Sequence, residues 1–487
     1  MILQIASNDR VKSFGQPHEL AALREELTYD LGERRGIQQR MCLLDQMTGS
    51  FPIGLLVEVE SALRGRGISV IRNDLRTRPA ARRELPLSWL LPHQREAVDA
   101  ALRHVVCCVD VPTAGGKGEI IAALCAEIPV DLLVLADDKQ VLRQLGSPDP
   151  VEGRVLKRTG EAPGRVGDGR WEGGNRVTVA SPATLDQQWD GNHWSERARA
   201  LFSRARGVIY DEVHMAGSPR SQRILRALSH CYWRIGFSAT VTGRADLRDA
   251  AVRAHFGPVG YRVPAAELEA QGVISSQTAT MIRCDQPDQD AYEAGGYQTA
   301  VSLSKVRNGL VVQLWALEKT GIVTFVRELD HGRYLLKIAQ HRGVRAEFVH
   351  GEVDSDERTA AIARFERGEV DVLIATNVFK QGADIVHAYA GINAAGGKSA
   401  IEAIQRRGRL GRICRTVDCP RCAEVGKKNT ARWYDFDDQD SEAERTLRDR
   451  KRRLPGLWLK RHSRLRLQAY RDKGIIVEVK NIGDVKI

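Results

Sequence analysis

Short apolar runs separated by helix-length stretches of mixed polarity dominate the chain between residues 105 and 393. VVCCVDV (105–111), DLLVLAD (131–137), RVTVAS (176–181), GVIYD (207–211) and YWRIGFS (232–238) form a first set. GIVTFV (321–326), AEFVHG (346–351), DVLIAT (371–376) and HAYAGIN (387–393) form a second. Runs this short, rich in β-branched residues, predict strands buried on both faces. Helix-length segments between them predict parallel βαβ units. The pattern therefore predicts an α/β protein with two parallel sheets in series, either side of residue 273.

Composition shifts set the limits of these units. RTRPAARRELPLSWLLPHQ (76–94), punctuated by Pro79, Pro86 and Pro92, closes off a small N-terminal α/β domain over 1–86. Gly272 ends the helix-like AAELEAQG and divides a first lobe, 87–272, from a second, 273–437. Beyond the acidic DFDDQDSEAE (435–444), Lys and Arg crowd a probable helix, which predicts a basic C-terminal tail over 438–487. That tail is either a helix that contacts a nucleic-acid backbone or a solvated charged helix. The glycine-rich GRVGDGRWEGGN (164–175) reads as a loop, and no solenoid repeat is visible. At about 150 residues per domain, 487 residues suit about three domains.

With 43% hydrophobic residues the chain can fill several cores, which excludes disorder, collagen and small disulfide scaffolds. No apolar run approaches the roughly 20 residues that span a bilayer, and MILQIASNDR lacks the apolar stretch of a secretory signal. The expectation is a cytoplasmic protein, bacterial or phage-type, with no membrane partner. The formal charge of +11 suits a polyanion without saying which. Nine cysteines, with Cys107, Cys108 and Cys125 in apolar company, fit reduced core thiols.

The strand VVCCVDV runs into PTAGGKGE (112–119), and a helix follows with Ile120, Leu124 and Ile128 on one face. Strand, glycine-rich turn, lysine and helix form the context of a phosphate loop. Gly115 and Gly116 let backbone N–H groups turn toward phosphate oxygens, with Thr113 and Glu119 flanking the turn. Lys117 supplies a point charge for the β and γ phosphates of ATP. Gly118 stands where a Ser or Thr hydroxyl usually ligates Mg²⁺. A missing ligand of that kind costs on the order of 1.5–3 kcal/mol unless water replaces it. GVIYDEVH (207–214) sets two carboxylates at the end of a buried strand, Asp211 to hold Mg²⁺ and Glu212 to orient and deprotonate water.

Asp-Glu-Val-His, then Ser238-Ala239-Thr240, then QRRGRLGR (405–412) resemble motifs II, III and VI of superfamily 2 helicases and translocases. The resemblance covers residues 87–437 and implies two tandem RecA-like lobes. It implies that Gln94 reads adenine, that His214 couples the acid pair to Ser238 and Thr240, and that Thr184 lies near the nucleic-acid backbone. An N-cap is the alternative for Thr184. ATNVFKQGADI (375–385) resembles motif V, with Gly382 and Asp384, although Gln381 replaces the more frequent glutamate. In motif VI, Gln405 lies near the nucleotide, and Arg409 and Arg412 suit the oxygens of a transferring phosphoryl group. Arg406 and Arg407 read equally well as a basic surface.

Motif spacing, with KVRN (305–308), FVRELDHG (325–332) and WYDFDD (433–438), is most similar to the XPB/UvsW-type group, which acts on duplex or branched DNA. The segment from Gly49 to Arg76 resembles the small domain that precedes the motor there. The implied activity is an ATP-dependent DNA helicase or translocase, acting on duplex, forked or branched DNA, with ATP and Mg²⁺ between the lobes. Its alternatives are an ATP-binding, DNA-binding switch disabled at Gly118, and an RNA helicase. Cys414, Cys419 and Cys422 offer three thiols for zinc, which needs four ligands; Asp418 or a distant His or Cys would complete the set.

Overall fold

The structure, a computed structural model, describes residues 1–34, 37–77, 79, 86–149, 153–238, 248–285, 298–376, 385–416, 418–428, 430–439 and 455–485. Side chains are described over the same ranges except 30–34, 37–39, 248–249, 298–299, 355, 400–401 and 455–458. The chain divides into two compact units, Met1–Pro112 with Gly116–Val263, and Thr113–Gly115 with Pro264–Ile487.

The first unit begins with β1 (Ile2–Ile5), β2 (Arg10–Phe14), β3 (Thr28–Arg34), β4 (Ile37–Cys42), β5 (Ser50–Pro52) and β6 (Ile71–Asp74). β3 and β4 pair as a hairpin, and the others form a sheet in the order β5-β2-β1-β6. Leu3, Ile5, Val11, Phe51 and Leu63 make its core. This small domain is docked on the rest of its unit rather than tethered to it. Asn8 Nδ2 donates to the His230 carbonyl at 2.7 Å. A Cβ on Gly54 would stand only 2.0 Å from the Arg253 carbonyl oxygen, so only glycine permits that approach.

The main sheet of this unit comprises β7 (Val106–Asp110), β8 (Leu132–Ala136), β9 (Gly164–Gly167), β10 (Arg170–Trp171), β11 (Val177–Ala180), β12 (Gly207–Asp211), β13 (Trp233–Ser238) and β14 (Val259–Arg262). Its order is β10-β9-β11-β8-β12-β13-β7-β14, parallel apart from the β9–β10 hairpin. That hairpin corrects the reading of GRVGDGRWEGGN as a loop. Asp168 and Gly169, both at positive φ (53° and 79°), make a two-residue turn whose twist suits paired strands. The glycines that hid the strand are needed in it, since a Cβ on Gly164 would meet the Glu172 carbonyl at 2.0 Å.

The second unit holds β15 (Ser276–Asp285), β16 (Ile322–Phe325), β17 (Ala346–Val349), β18 (Val372–Ala375), β19 (Ala390–Asn393), β20 (Thr430–Gln439) and β21 (Val477–Lys480). The sheet runs β17-β18-β16-β19-β20-β15-β21 with every pair parallel. The expected tail thus supplies the edge strand β21, and its helix Pro455–Asp472 presents buried Leu459, Arg466 and Tyr470. Arg466 donates to Asp435 of β20 through Nε and Nη2 at 2.9 and 3.0 Å, and Tyr470 Oη donates to the same carboxylate at 2.8 Å. The described part of the tail is therefore built into this lobe.

The three segments KVRN, FVRELDHG and WYDFDD meet in this core. Arg307, fully buried, pairs with Asp438, and Asn308 Oδ1 lies 2.8 Å from His331 Nε2. Burial and, secondarily, the Arg307 charge push His331 down to about 3. A neutral histidine of this kind contributes stability that is present above its unfolded value of about 6.5 and is lost as pH falls toward 3. We expect the unfolding free energy of the second lobe to drop by about 2 kcal/mol between pH 7.5 and 5 on this account. Urea titrations at the two pH values, repeated on His331→Gln, check it. The variant should lose most of that pH dependence, and an equal dependence would assign it to other groups.

Candidate functional site

Three neighbouring parallel strands carry the expected nucleotide-site residues on their C-terminal ends. β12 lies beside β13 and β13 beside β7, with Asp211 level with Phe237 and Ser238 level with Asp110. In open parallel sheets this end binds ligands. β7 leads through Thr113 and the buried Gly115 into the helix Lys117–Glu127. Gly116 caps that helix at φ 85°, and a Cβ there would collide with Gln94 Nε2 at 2.1 Å. Ala114 also adopts positive φ (70°), a conformation that costs an L-residue roughly 1–2 kcal/mol.

Glu212 is a further left-handed residue (φ 57°, ψ 54°) directly after the strand. The bend separates its side chain from that of Asp211, so adjacent carboxylates have different surroundings. Glu212 Oε1 lies 3.4 Å from Lys117 Nζ, and Oε2 lies 3.3 Å from His214 Nδ1. Ser238 Oγ donates to Glu212 Oε2 at 3.5 Å and is 3.3 Å from His214 Nδ1. Lysine, glutamate, histidine and serine thus form one connected network across the strand ends.

Asp211 sits deeper, at 5% exposure. Burial, then the Glu212 carboxylate, pushes its carboxyl up to about 7, against the opposing pull of Lys117. Its Oδ1 is buried without a hydrogen-bond partner among the described residues. A buried carboxylate oxygen left unsatisfied costs stability by itself and fits a cation ligand.

Gln94 borders the phosphate loop. Its Oε1 accepts from the Leu91 N–H at 3.0 Å, capping the start of the helix Pro92–His104, while its amide nitrogen faces the phosphate loop. At Gly118 the absent side chain leaves space for Arg154, whose Nη1 would be 2.6 Å from a Cβ placed there. Glu119 is held by the same helix, 3.8 Å from Arg154 and 3.0 Å from Arg158. Sequence reasoning missed Arg154, because nothing local links residue 154 to the phosphate loop.

Thr184 lies inside the helix Pro182–Asp186, whose N-cap is Ser181, so it does not cap that helix. Thr240, Gln381, Gly382 and Asp384 lie outside the described residues.

In the second unit, Gln405 lies in the helix Ala400–Gly408 and Arg409 opens a short 3₁₀ turn to Gly411, with Arg412 next. Gln405, Arg409 and Arg412 are half-buried. Arg406 and Arg407 are not surface residues, at 6% exposure each. Arg406 donates to Asn393 Oδ1 at 2.9 Å and Arg407 to the Gln277 carbonyl at 3.2 Å. The carbonyls of Leu410 and Gly411 accept from Ser275 Oγ and Ser275 N–H. The loop carrying the arginines is therefore anchored along its backbone.

Cys414, Cys419 and Cys422 gather with a distant histidine, one of the fourth donors the sequence left open. The fourth is His387, and the four donor atoms lie within 4.8 Å of one another. Asp418 is exposed and does not belong to the group. His387 precedes Cys414 by many residues and stands just before β19. Its only sequence signal is its place at the mouth of a predicted strand.

Residues 88–243 match the family described as type III restriction enzyme, res subunit, and residues 310–414 match the helicase conserved C-terminal domain. Together they cover just over half of the chain. The DNA 3′-5′ translocase XPB2 of Sulfurisphaera tokodaii is 24% identical over 377 residues, 68% of this chain and 79% of that protein. A structure of S. cerevisiae Dbp5 bound to RNA and ADP BeF3 aligns with 81% of this chain and 90% of that one, at TM-score 0.52 and 16% identity. That likeness shows the two-lobed RecA-like fold. T4 UvsW aligns over 99% of both chains at TM-score 0.43 and 19% identity. The chain spans between 10% and 42% of the length of the first curated relatives it matches. Among the described residues no helix is long and apolar enough to cross a membrane. The helicase families imply ATP hydrolysis, and two helicase domains in this order, together over just over half of the chain, make this chain a member of the superfamily 2 helicases, similar to a curated XPB translocase across 68% of its length.

Proposed function

We propose that this protein is an ATP-driven translocase or helicase acting on duplex, forked or branched DNA. The observation that carries the motor reading is the network joining Lys117, Glu212, His214 and Ser238 across three adjacent strand ends. It links a phosphate-binding lysine to a base and the base to Ser238, the last residue of β13. DNA is favoured over RNA by the XPB-type relative, whose printed activity is translocation on DNA.

ATP is the substrate. Lys117, now paired with Glu212, turns to the β and γ phosphates and leaves Glu212 to accept the proton of the attacking water. Asp211 Oδ1 is the ligand that would hold Mg²⁺. Mg²⁺, when bound, supplies charge that neutralises the phosphate oxygens. His214 and Ser238 keep the Glu212 carboxylate oriented by sharing its second oxygen. Arg409 and Arg412 are assigned to the transferring phosphoryl group on their place in motif VI alone. In this reading the cofactors of the reaction are ATP and Mg²⁺, and a metal at the Cys/His cluster would be a separate structural one.

Gly118 favours a second reading, an ATP-binding switch with little turnover, because no side-chain hydroxyl stands at that position and the Arg154 tip fills the space. Gly118→Thr needs only that flexible tip to move. It should raise the ATPase rate about tenfold, the equivalent of one charge-assisted hydrogen bond. An unchanged rate, also with Arg154→Ala added to make room, would mean that the metal shell is complete without it. Displacement of a third strand from triplex DNA tests the motor directly. Displacement that requires hydrolysable ATP supports it. ATP that alters DNA affinity without displacing the strand, or strand separation on RNA duplexes alone, sinks it.

A further inference from the structure

Cys419 and Cys422 are one helical turn apart at the start of the helix Pro420–Val425, which turns both thiols to one side. Cys414 approaches from the segment that follows the Arg409–Gly411 turn. His387 comes from the opposite side, just ahead of β19. Its Nε2 lies 3.4 Å from Cys419 Sγ and 3.6 Å from Cys422 Sγ. We infer that His387, Cys414, Cys419 and Cys422 form a structural Cys₃His zinc site that clasps the segment after motif VI to the approach of β19.

The two N···S distances are those of a tetrahedral zinc site. Zinc bonds of about 2.3 Å to sulfur and about 2.05 Å to nitrogen place N and S ligands about 3.6 Å apart and sulfurs about 3.8 Å apart. Both measured N···S separations are within a few tenths of that value, and all four donors fall within 4.8 Å. Three thiols and one imidazole make a soft, closed donor set that selects zinc over magnesium or calcium.

The surroundings of His387 provide the second half of the argument. Its Nδ1 is 2.7 Å from Glu366 Oε2, and Glu366 Oε1 accepts from the backbone N–H groups of Val386 and His387 at 2.9 and 3.2 Å. A carboxylate on Nδ1 puts the ring proton there and leaves the Nε2 lone pair facing the thiols. Metal-binding histidines are oriented in this way by a carboxylate behind the ring. One carboxylate thus accepts from the ring and backbone of His387 and from the Val386 N–H, which fixes the imidazole in place. The clasp closes a loop that contains the whole motif VI helix. It is backed by Lys428 Nζ, which donates to the carbonyls of Ala388 and Leu410 at 3.1 and 3.0 Å. Metal binding thus joins the two ends of the segment whose arginines the motor reading uses. The zinc site stands on its four donors and the Glu366 contacts, whether or not the motor reading holds.

The test is metal analysis of the full-length protein, expressed with added zinc and purified without chelator. About one zinc per chain is expected in the wild type and in the Cys42→Ser control, and almost none in Cys422→Ser. His387→Ala should lose zinc or hold it weakly enough for a mild chelator to remove it. Cobalt substitution of the wild-type protein gives an independent readout. It should show the thiolate charge-transfer and tetrahedral d–d bands of an S₃N site, with the d–d bands changed in His387→Ala. A wild-type protein without zinc, with Cys414, Cys419 or Cys422 found in a disulfide, overturns the proposal. So does full zinc with an unchanged cobalt spectrum in His387→Ala.

Discussion

Glu212→Gln is expected to lower the steady-state ATPase rate by about 10²–10⁴-fold while nucleotide affinity changes only a few-fold. The amide keeps the volume of the side chain and can still hydrogen-bond Ser238 and His214. What it loses is the ability to take a proton from water. The left-handed bend at Glu212 strengthens the expectation, because a strained conformation is retained where the surrounding structure fixes it. It also frees Lys117 from its present ion pair, so ATP binding should tighten slightly if it changes at all. Lys117→Ala, in contrast, removes the phosphate charge itself and should weaken binding and turnover together. Turnover assays paired with binding of a fluorescent ATP analogue separate the two. A Glu212→Gln rate within tenfold of wild type would place the base elsewhere.

Arg466→Ala should destabilise the second lobe by about 3–5 kcal/mol, the largest stability effect we expect of a single substitution. Arg466 is fully buried and Asp435 is 1% exposed. Burial by itself would push the Asp435 carboxyl up. Arg466, Asn393 and Tyr470 more than offset this and hold it below the usual carboxylate range. Asn393 Nδ2 donates to Asp435 at 3.1 Å, and Trp433 Nε1 donates to Tyr470 Oη at 3.0 Å, so the network reaches from β19 through β20 to the C-terminal helix. Truncating the arginine leaves a carboxylate buried and half-satisfied. The pair Arg466→Met with Asp435→Asn should recover much of the loss, because replacing both charges avoids the stranded one. Thermal unfolding of the wild type and the two variants decides it. A small loss for Arg466→Ala would mean that water reaches Asp435.

The two sheets were legible because their central strands are runs of Val, Ile and Leu that no helix-period pattern imitates. The order of motifs was legible because a phosphate loop and an acidic strand end demand particular residue types at particular spacings. Other features were hidden for physical reasons. In β9, glycine replaces a β-branched residue at 164 because the Glu172 carbonyl comes too close for a Cβ, and at 167 because φ is 136°. The C-terminal helix reads as a charged tail, yet Leu459, His462, Ser463, Arg466 and Tyr470 fall on one buried face, where Ser463 bonds to Asp438 and Arg466 and Tyr470 to Asp435 of β20. Arg406 and Arg407 look like surface residues for the same reason. Arg154 beside Gly118 and His387 beside the cysteines are joined only by the fold, and no local pattern announces either pair.

The central claim is that hydrolysis at the Lys117–Glu212 site is geared to movement on DNA. The most direct measurement is the steady-state ATPase rate of the wild type and Glu212→Gln with no nucleic acid, duplex DNA, forked DNA, single-stranded DNA and duplex RNA. The account predicts strong stimulation by duplex or forked DNA, weaker stimulation by RNA, and none in the variant. Turnover that no DNA stimulates, with ATP still changing DNA affinity, would contradict it.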